Sequence, residues 1–398
     1  MKRYVIIGNG TAGASAAANI RGRDNTGSIT IFSRENNPFY YRPKLPEYLS
    51  GELALNEFTM HTLTKYRELN VDLRLGETVA AIDPYKKEIT GIKTGITPYD
   101  ELLLAAGSSC YLPPVKGNDK AGVFTLRTIE DADALRTASK KNKTAILVGG
   151  GLLGLEAAHA LINLGLTVEV VEFMDRLLPR QLDAESASLL QKQLEGMGFS
   201  FHLKAKAHEI TGSDSTTGLF LEDGTFLKSG IILFSAGVRP NLDLAKHAGL
   251  EINKAVKVDQ HMRTNVSGIW AAGDIAEFND QPCGTWPIAM AQGNCAGASM
   301  SGELVTYNPK VPSTSLKVAG ISLISAGNIE AGNAGTSKIL ASDRIYRKII
   351  LEDDVIKGVI FLGSIAGSSE CIAAMNEGCH LGPLAEKLDH KDFDFKAL

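Results

Sequence analysis

One glycine pattern occurs twice in the chain, each time between an apolar run and a segment rich in helix-forming residues. The two stretches are YVIIGNGTAGASAA (residues 4–17) and AILVGGGLLGLEAA (residues 145–158). The G-x-G-x-x-G glycines are Gly8, Gly10 and Gly13 in the first stretch, and Gly149, Gly151 and Gly154 in the second. In this spacing the first glycine permits a tight turn, the second lets the backbone approach a phosphate, and the third lets helix and strand pack closely. Each stretch therefore predicts a strand–turn–helix unit that binds a dinucleotide diphosphate at its helix N-terminus.

The composition is that of a globular protein with room for two or three domains: 398 residues, of which 44% are hydrophobic and 22% charged. The net charge of −4 argues against nucleic-acid binding and against a polybasic membrane anchor. No apolar run reaches about 18 residues, and the strand pattern RYVIIG follows Met1 almost at once, so we expect no membrane span and no signal peptide.

Five cysteines are widely spaced and form no C-x-x-C pair: Cys110, Cys283, Cys295, Cys371 and Cys379. The odd count and the wide spacing indicate a reducing, cytoplasmic location. We predict no metal site in the chain.

The order of apolar and helical patterns predicts two βαβ segments followed by a different tail. RYVIIG, TAGASAAANIRGR and SITIFS read as strand, helix and strand, and TAILVGG, LLGLEAAHALINLG and TVEVVE repeat that order. Asp183 is predicted to cap the helix that begins LDAESASLL. From about residue 310, strand patterns such as YRKIILED and VIKGVIFLGS predict an antiparallel set followed by a helix at SECIAAMNEG. The predicted fold class is α/β, with two tandem Rossmann-like dinucleotide-binding domains and a small C-terminal α+β domain.

The residue that ends the strand after each glycine turn is expected to bind the ribose. In the second unit this residue is Glu172, whose carboxylate favours NADH over NADPH, although Arg176 follows four residues later. In the first unit the strand ends at Ser33, followed by Arg34 and Glu35. Two alternatives stay open there: Glu35 or Ser33 binds the adenosine ribose.

The segments LLLAAGSS, LFSAGVRPN and GIWAAGDIAEF, together with the two glycine turns, resemble the FAD- and NAD(P)H-dependent pyridine nucleotide oxidoreductase family. Within that family, PFYYRPKLPEYLSG, GLLGLEAA, LLPRQLDAE and LKVAGISL resemble NADH:rubredoxin oxidoreductases and the flavoprotein part of nitrite reductase large subunits. The resemblance implies a discontinuous FAD domain of residues 1–108 and 237–306, an NAD(P)H domain of residues 109–236, and a C-terminal domain of residues 307–398.

The resemblance also implies roles for particular residues. Asp274 matches the aspartate that binds a ribitol hydroxyl of the flavin, Arg42 faces the FAD phosphates, and Glu156 lies close to nicotinamide and flavin. Lys44 is the second predicted catalytic residue, and whether it pairs with Glu156 stays open. Trp286 is predicted beside the isoalloxazine or in the core, and His159 in the core or at the surface. The full predicted cofactor-binding set is Gly8, Gly10, Thr11, Ala12, Gly13, Ser33, Glu35, Arg42, Lys44, Val79, Ala106, Gly107, Arg127, Gly149, Gly151, Leu152, Leu153, Gly154, Glu172, Gly237, Gly273, Asp274 and Trp286.

The segment FYYRPKLPEYL holds no cysteine, whereas disulphide reductases of the superfamily carry a redox pair there. Since a thiolate is the nucleophile of thiol–disulphide exchange, that chemistry is not expected. The predicted function is an oxidoreductase that passes electrons from NADH through FAD to a one-electron iron or iron–sulfur acceptor, its partner being a small carrier such as rubredoxin or ferredoxin. Two alternatives stay open: an FAD- and NAD-binding subunit of a larger metalloenzyme, and a flavin-binding interaction protein. Monomer and homodimer both remain open.

Overall fold

The computed structural model describes residues 1–309, 313–330 and 335–398. The chain divides into two compact units. Unit 1 consists of Met1–Lys44, Leu53–Cys110 and Val238–Pro309, and unit 2 consists of Leu45–Glu52, Tyr111–Gly237 and Lys310–Leu398. Residues 45–52 thus group with unit 2, although sequence reasoning assigned them to the segment 1–108.

The strands of the first 110 residues are β1 (Arg3–Ile7), β2 (Ser28–Ser33), β3 (Val71–Leu75), β4 (Val79–Asp83), β5 (Glu88–Gly91), β6 (Gly95–Pro98), β7 (Glu101–Leu104) and β8 (Ser108–Cys110). The next are β9 (Val123–Phe124), β10 (Thr144–Val148), β11 (Thr167–Glu172), β12 (Phe199–Leu203), β13 (Ala207–Thr211), β14 (Gly218–Leu221), β15 (Phe226–Lys228) and β16 (Ile232–Phe234). The strands in the last segment of unit 1 are β17 (Val238–Pro240), β18 (Val256–Lys257), β19 (Ile269–Ala271), β20 (Ala276–Phe278) and β21 (Gln281–Pro282). The C-terminal strands are β22 (Ser313–Val318), β23 (Ile321–Gly327), β24 (Thr336–Ala341), β25 (Tyr346–Glu352) and β26 (Val355–Leu362).

The α-helices are α1 (Thr11–Arg21), α2 (Leu45–Ser50), α3 (Leu55–Phe58), α4 (Leu63–Glu68), α5 (Ile129–Ser139), α6 (Leu152–Asn163), α7 (Ala184–Glu195), α8 (Asp243–His247), α9 (Trp286–Met300) and α10 (Ser368–Glu377). Short 3-10 helices cover Arg42–Lys44, Gly382–Lys387 and Phe395–Ala397. Among the described residues, no helix combines the length and the apolar character needed to cross a membrane.

Unit 1 is built on a parallel sheet with strand order β19-β7-β1-β2-β3. The central strand β1 is apolar on both faces, as a strand covered on both sides of a sheet must be. Helices α1 and α9 cross closely because small residues face each other. A Cβ on Gly293 would overlap the backbone of Ala12, and one on Gly297 would lie 2.7 Å from the carbonyl oxygen of Ala16. This crossing packs the start of α1 directly against α9.

Unit 2 repeats the arrangement with strand order β12-β11-β10-β16-β9, again parallel. Strand β10 lies between β11 and β16 just as β1 lies between β2 and β7, and helix α6 follows β10 as α1 follows β1. The predicted duplication is therefore present in the strand order and in the position of the helix.

The C-terminal part of unit 2 is an antiparallel sheet with order β22-β23-β26-β25-β24, and α10 packs against its apolar side chains. The predicted N-cap Asp183 is confirmed: its carboxylate accepts from the backbone N–H of Ser186 at 3.0 Å. The same carboxylate accepts from the Tyr346 hydroxyl at 2.7 Å and from Lys348 Nζ at 2.9 Å, which joins α7 to β25. The predicted fold class, two dinucleotide-binding folds and a small α+β segment, is confirmed.

Candidate cofactor-binding sites

The first glycine turn connects β1 to α1 in a conformation that requires its outer glycines. Gly8 has a φ of +113°, and its N–H donates to the carbonyl of Phe32 at 2.8 Å. A Cβ on Gly8 would overlap the carbonyl oxygen of Ala105, and a Cβ on Gly13 would overlap that of Gly8. Any larger residue at these positions would therefore push the helix and the neighbouring strand away from the turn.

The second turn, between β10 and α6, repeats this geometry contact by contact. Gly149 has a φ of +110°, and its N–H donates to the carbonyl of Val171 at 2.8 Å. A Cβ on Gly149 would overlap the carbonyl oxygen of Ser235, and a Cβ on Gly154 would lie 2.6 Å from that of Gly149. The two turns therefore have the same backbone conformation and equivalent close contacts.

The middle glycines differ from the outer ones because they face open space. A Cβ on Gly10 or on Gly151 would meet no described atom within 4 Å. Both residues are helix N-caps in extended conformation, and in the described chain neither receives a side-chain cap. The uncapped N–H groups at the starts of α1 and α6 thus border an open space. This space is open because glycine has no side chain to fill it. This cradle suits the diphosphate of a dinucleotide, so the residues present fit the implied cofactors.

The residues after β2 form a closed cluster beside the first turn. The Glu35 carboxylate accepts from the Tyr40 hydroxyl at 2.5 Å and pairs with Arg42 at 2.8 Å, and Arg42 also donates to the Tyr40 oxygen at 2.9 Å. Burial acts to lower the pKa of Arg42, but Tyr40 and Glu35 outweigh it and raise the pKa, so the guanidinium stays charged. The Ser33 hydroxyl donates to the Glu35 carbonyl at 3.2 Å. The structure thus brings Ser33, Glu35 and Arg42 together. The ion pair between Glu35 and Arg42 was not predicted from the sequence.

The turn after β19, which carries Asp274, is held by one buried and one part-buried polar contact. Gly273 has a φ of +83°, and its N–H donates to Oε1 of Gln292 at 2.9 Å. The Ser108 hydroxyl donates to the Asp274 carboxylate at 2.6 Å. A Cβ on Gly273 would lie 3.1 Å from that of Ala12, so this turn adjoins the start of α1.

Two further predicted positions in unit 1 lie on the loop after β7. The carbonyl of Ala106 accepts from the Asn241 side chain at 2.8 Å, and that of Gly107 accepts from the Asn241 N–H at 3.0 Å. Val79 has a buried side chain in a core cluster against which Ala106 also packs.

Trp286 begins α9 and is half-buried in an aromatic cluster. It stacks on Phe39 at 5.3 Å and meets Tyr41 edge-on at 4.6 Å between ring centroids. It also packs against the core around β1, and its place beside the isoalloxazine stays a prediction. Lys44 ends the 3-10 helix of unit 1, whereas Glu156 lies on α6 in unit 2.

In the second site Glu172 lies at the glycine turn. Its buried carboxylate accepts from the backbone N–H of Gly150 at 2.6 Å and from that of Met174 at 2.7 Å. Leu152 and Leu153 form the first turn of α6, and Leu153 is half exposed. The second turn thus carries a carboxylate at the position predicted for the ribose.

Three other predicted residues lie elsewhere in unit 2. Glu156 is half-buried on α6. Gly237, with a φ of +89°, accepts from the N–H of Tyr111 at 2.9 Å. Arg127 precedes α5, and its N–H donates to Asp131 at 2.8 Å. Their roles at a cofactor stay predictions.

Comparison with known families identifies the family to which the chain belongs. The family described as "Pyridine nucleotide-disulphide oxidoreductase" matches residues 2–293, well over half of the chain. The chain belongs to the pyridine nucleotide-disulphide oxidoreductase family. The segment 312–379 matches "Rubredoxin NAD+ reductase C-terminal domain". The predicted resemblance to this family of pyridine nucleotide oxidoreductases is confirmed.

The pyridine nucleotide-disulphide oxidoreductases similar to this chain differ in length. Nitrite reductase [NAD(P)H] of Bacillus subtilis is 37% identical over 366 residues, which are 91% of this chain and 46% of that protein. NADH-rubredoxin oxidoreductase of Clostridium acetobutylicum is 31% identical over 367 residues, 92% of each protein. A crystal structure of NADH:rubredoxin oxidoreductase from the same organism matches with a TM-score of 0.82 and 28% identity, covering 96% of both chains. The chain therefore spans about half of the Bacillus relative and nearly all of the clostridial one.

The cysteines of this family member are placed unlike a redox pair. All five lie in the described part of the chain, and none forms a disulphide. Burial raises the pKa of Cys283 and of Cys371 to about 12, which keeps both thiols protonated near neutral pH. Within the described residues no group of three or more His, Cys, Asp and Glu side chains is placed to hold a metal ion.

Sequence reasoning missed several polar residues that hold the predicted ones in position. They are Tyr40, which joins Glu35 to Arg42; Ser108 and Gln292, which hold the Gly273–Asp274 turn; and Asn9, inside the first glycine turn. Asn9 and Tyr40 stand next to recognised motifs, so their sequence position was a usable signal. Ser108 and Gln292 are distant from Asp274 in sequence, and only the fold brings them to it.

Proposed function

We propose that this family member passes electrons from NADH through FAD to a one-electron iron or iron–sulfur acceptor. The observation that carries the proposal is the repeated cradle: two turns of equal geometry, each with an open middle glycine and a helix N-terminus that no side chain caps within the described chain. One cradle would bind NADH, which donates a hydride, and the other would bind FAD, which stores the electrons. A chain that bound only one dinucleotide would need only one such turn.

Unit 1 is the proposed FAD site. Gly8, Gly10, Thr11, Ala12 and Gly13 would bind the diphosphate through backbone N–H groups and close approach. Glu35 or Ser33 would bind the ribose. Other proposed contacts in unit 1 are Arg42, Lys44, Val79, Ala106, Gly107, Gly273, Asp274 and Trp286. The proposed FAD domain comprises residues 1–108 and 237–306.

Unit 2 contains the proposed NADH site, in a domain of residues 109–236. Gly149, Gly151, Leu152, Leu153 and Gly154 form its diphosphate cradle. Two oxygens of a carboxylate offer about four acceptor positions, so Glu172 retains capacity for ribose hydroxyls after its two backbone bonds. Its negative charge would repel a 2′-phosphate, which supports NADH over NADPH. We also propose that residues 307–398 form a separate domain, and that Arg127 and Gly237 contact a cofactor.

The chain's own residues bind and orient, while the cofactor carries the chemistry. Bound FAD supplies a centre that accepts two electrons from NADH and releases them one at a time. Glu156, a carboxylate on a helix rich in apolar residues, would orient the nicotinamide end, with Lys44 as the second proposed catalytic residue. Ser108 and Gln292 hold the Asp274 turn before any ligand arrives, so little ordering remains for the binding step.

An external protein is the proposed acceptor. The segment 39–49 contains no cysteine, and the pKa values of Cys283 and Cys371 lie far above neutral, so a thiolate relay has no support here. The similarity to a protein named NADH-rubredoxin oxidoreductase over 92% of both chains favours a small carrier of rubredoxin or ferredoxin type.

One observation favours a second candidate. The chain matches only 46% of the Bacillus subtilis nitrite reductase and 48% of the assimilatory nitrate reductase electron transfer subunit from the same organism. In that case the chain would serve as the FAD- and NAD-binding subunit of a larger metalloenzyme. Co-purification from native extract with a metal-containing chain would favour this candidate over the small carrier.

The test is an anaerobic assay of the FAD-loaded protein with NADH and, separately, rubredoxin, ferredoxin, a disulphide and oxygen as acceptors. We expect rapid reduction of an iron carrier and unchanged rates after alkylation of the accessible cysteines. Turnover that depends on a disulphide, or that stops on alkylation, would contradict the proposal. A rate that is appreciable only with oxygen would replace it with an oxidase function.

A further inference from the structure

Tyr307 lies between the two segments of the chain that match known families, residues 2–293 and 312–379. Its side chain is buried, and its backbone N–H donates to the carbonyl of Gln260 at 2.7 Å. Its hydroxyl is hydrogen-bonded to the side chain of Gln292. Because a buried hydroxyl is costly without a partner, this contact holds the two side chains together. Neither matching family pattern includes Tyr307, so its role follows from its contacts.

Gln292, on α9, connects Tyr307 to the turn after β19. It is 1% exposed, and its Oε1 accepts from the backbone N–H of Gly273 at 2.9 Å. Because a backbone N–H only donates, the oxygen of the amide points to Gly273 and its NH2 group is left for Tyr307. Burial raises the pKa of Tyr307 and outweighs the hydrogen bond from Gln292, so the hydroxyl stays protonated.

The Gly273–Asp274 turn is held in its buried part, while its carboxylate reaches the surface. Gly273 and Ile275 are buried, whereas Asp274 between them is partly exposed. The Ser108 hydroxyl holds the carboxylate at 2.6 Å. A ligand can therefore reach Asp274, although the contact of Gly273 with Gln292 is buried.

Cys283 is a neighbour of both Asp274 and Tyr307. Its buried thiol is hydrogen-bonded to the Asp274 carboxylate, and the same thiol contributes to the raised pKa of Tyr307. Tyr307 and Asp274 therefore share a buried neighbour, and this connection is independent of Gln292.

We propose that Tyr307 is a positioning residue of the flavin site, which acts through Gln292 to hold the Gly273–Asp274 turn in the conformation that binds FAD. The proposal rests on the assignment of FAD to unit 1 and of Asp274 to the flavin. Gly273 has a φ of +83°, and glycine also has access to other conformations, so the direction of Asp274 depends on how the turn is held. Holding the turn before FAD arrives lowers the entropy cost of binding.

The experiment measures FAD dissociation constants by titrating the FAD-free full-length protein. Tyr307→Phe removes the hydroxyl and keeps the ring. Since a neutral hydrogen bond corresponds to roughly twofold to tenfold in an equilibrium constant, we expect FAD to bind about fivefold more weakly. Tyr99→Phe is the matched control, because it removes a buried hydroxyl of unit 1 that has no hydrogen-bond partner in the described part of the chain. Its FAD affinity should stay within about twofold of the wild type.

Double variants separate a positioning role from a merely structural one. Gln292→Leu should weaken FAD binding more than Tyr307→Phe does, and adding Tyr307→Phe to it should change little, because the connection is already broken. In an Asp274→Ala background Tyr307→Phe should likewise have little effect, since Asp274 is the residue that is positioned. A structural residue would instead weaken FAD binding by the same factor with or without Asp274.

A Tyr307→Phe protein that binds FAD within about twofold of the wild type would overturn the proposal, as would an equal loss in the Asp274→Ala background. Circular dichroism of the FAD-free variants checks folding. If Tyr307→Phe does not fold, Gln292→Leu gives an independent reading, and wild-type affinity in that variant would overturn the proposal. A wild-type protein that binds no FAD would instead contradict the assignment of FAD to unit 1. The two failures are therefore distinguishable.

Discussion

The carboxylate of Glu172 accepts a hydrogen bond from the backbone N–H of Gly150 at 2.6 Å, which joins the end of β11 to the second glycine turn. A second bond from the N–H of Met174, at 2.7 Å, holds the other oxygen. The carboxylate is thus oriented by the chain itself, as our proposal that it binds a ribose requires.

Replacement of this carboxylate should change the choice between NADH and NADPH. Glu172→Ser should raise the KM for NADH about tenfold, because a charge-assisted bond to ribose is lost. It should also narrow the preference over NADPH, because the repulsion of a 2′-phosphate is removed. Steady-state KM values for both nucleotides test this. Glu169→Ser, on the same strand but paired with His202, is the control; an unchanged preference in Glu172→Ser would refute the role.

The two types of glycine in a turn should respond differently to the same substitution. Gly149→Ala should destabilise the cofactor-free protein by about 2 kcal/mol or more, because Gly149 has a φ of +110° and its Cβ would overlap the carbonyl of Ser235. Gly151→Ala should change stability by less than about 0.5 kcal/mol, because its Cβ meets open space. Thermal unfolding of both variants without cofactors measures the difference, and equal midpoints would contradict the cradle geometry.

Glu156 is expected to affect the reaction more than FAD binding. Glu156→Gln should slow the reduction of bound flavin by NADH about tenfold or more, while the FAD dissociation constant stays unchanged. Stopped-flow absorbance under anaerobic conditions gives the rate. His159→Gln, on the same helix, should leave the rate unchanged. If Glu156→Gln reduced the flavin as fast as the wild type, Glu156 would have only a structural role.

The Asp183 contact between α7 and β25 should make stability depend on pH. Burial acts to raise the pKa of Asp183, but hydrogen bonds from Ser186, Tyr346 and Lys348 outweigh it and hold the pKa at about 2, below its usual 3.8. A depressed pKa means that the stabilisation is complete above about pH 4 and is lost as the pH falls towards 2. The shift corresponds to roughly 2 kcal/mol.

Asp183→Asn keeps the helix cap and removes the charge, so it isolates the contribution of the Asp183 charge to the stability of the fold. Its unfolding midpoint should lie below that of the wild type at pH 7, and the gap should shrink below about pH 4. Asp175→Asn, in an exposed ion pair with Arg176, should change the midpoint little at any pH. A gap that stays constant with pH would show that the charge of Asp183 contributes nothing.

Much of the fold was predictable because it follows from local rules. Both glycine turns, the helices after them and the Asp183 cap depend on residues close in sequence. The short helices α2, α3 and α4 were missed, because helices of four to six residues have too few turns to show a period. Strand β24, at the edge of the C-terminal sheet, was missed as well.

The site was predictable in its motifs but not in its supporting contacts. The ion pair of Glu35 with Arg42 was not foreseen, since sequence assigned each residue to a ligand separately. Tyr66 is 57 residues from Asn9, and no local pattern connects them. Gln292 reaches the Gly273 N–H only because α9 crosses α1 at small residues. Such contacts depend on tertiary packing, which spacing alone does not specify.

The central claim is that one chain binds FAD at the first turn and NADH at the second. Its most direct test is anaerobic addition of NADH to FAD-loaded Gly151→Ala protein, followed through the flavin absorbance band. The account predicts that this variant retains FAD as the wild type does, yet its flavin is not reduced by NADH, although dithionite still reduces it. Flavin reduction at the wild-type rate in Gly151→Ala would contradict the assignment of NADH to the second turn.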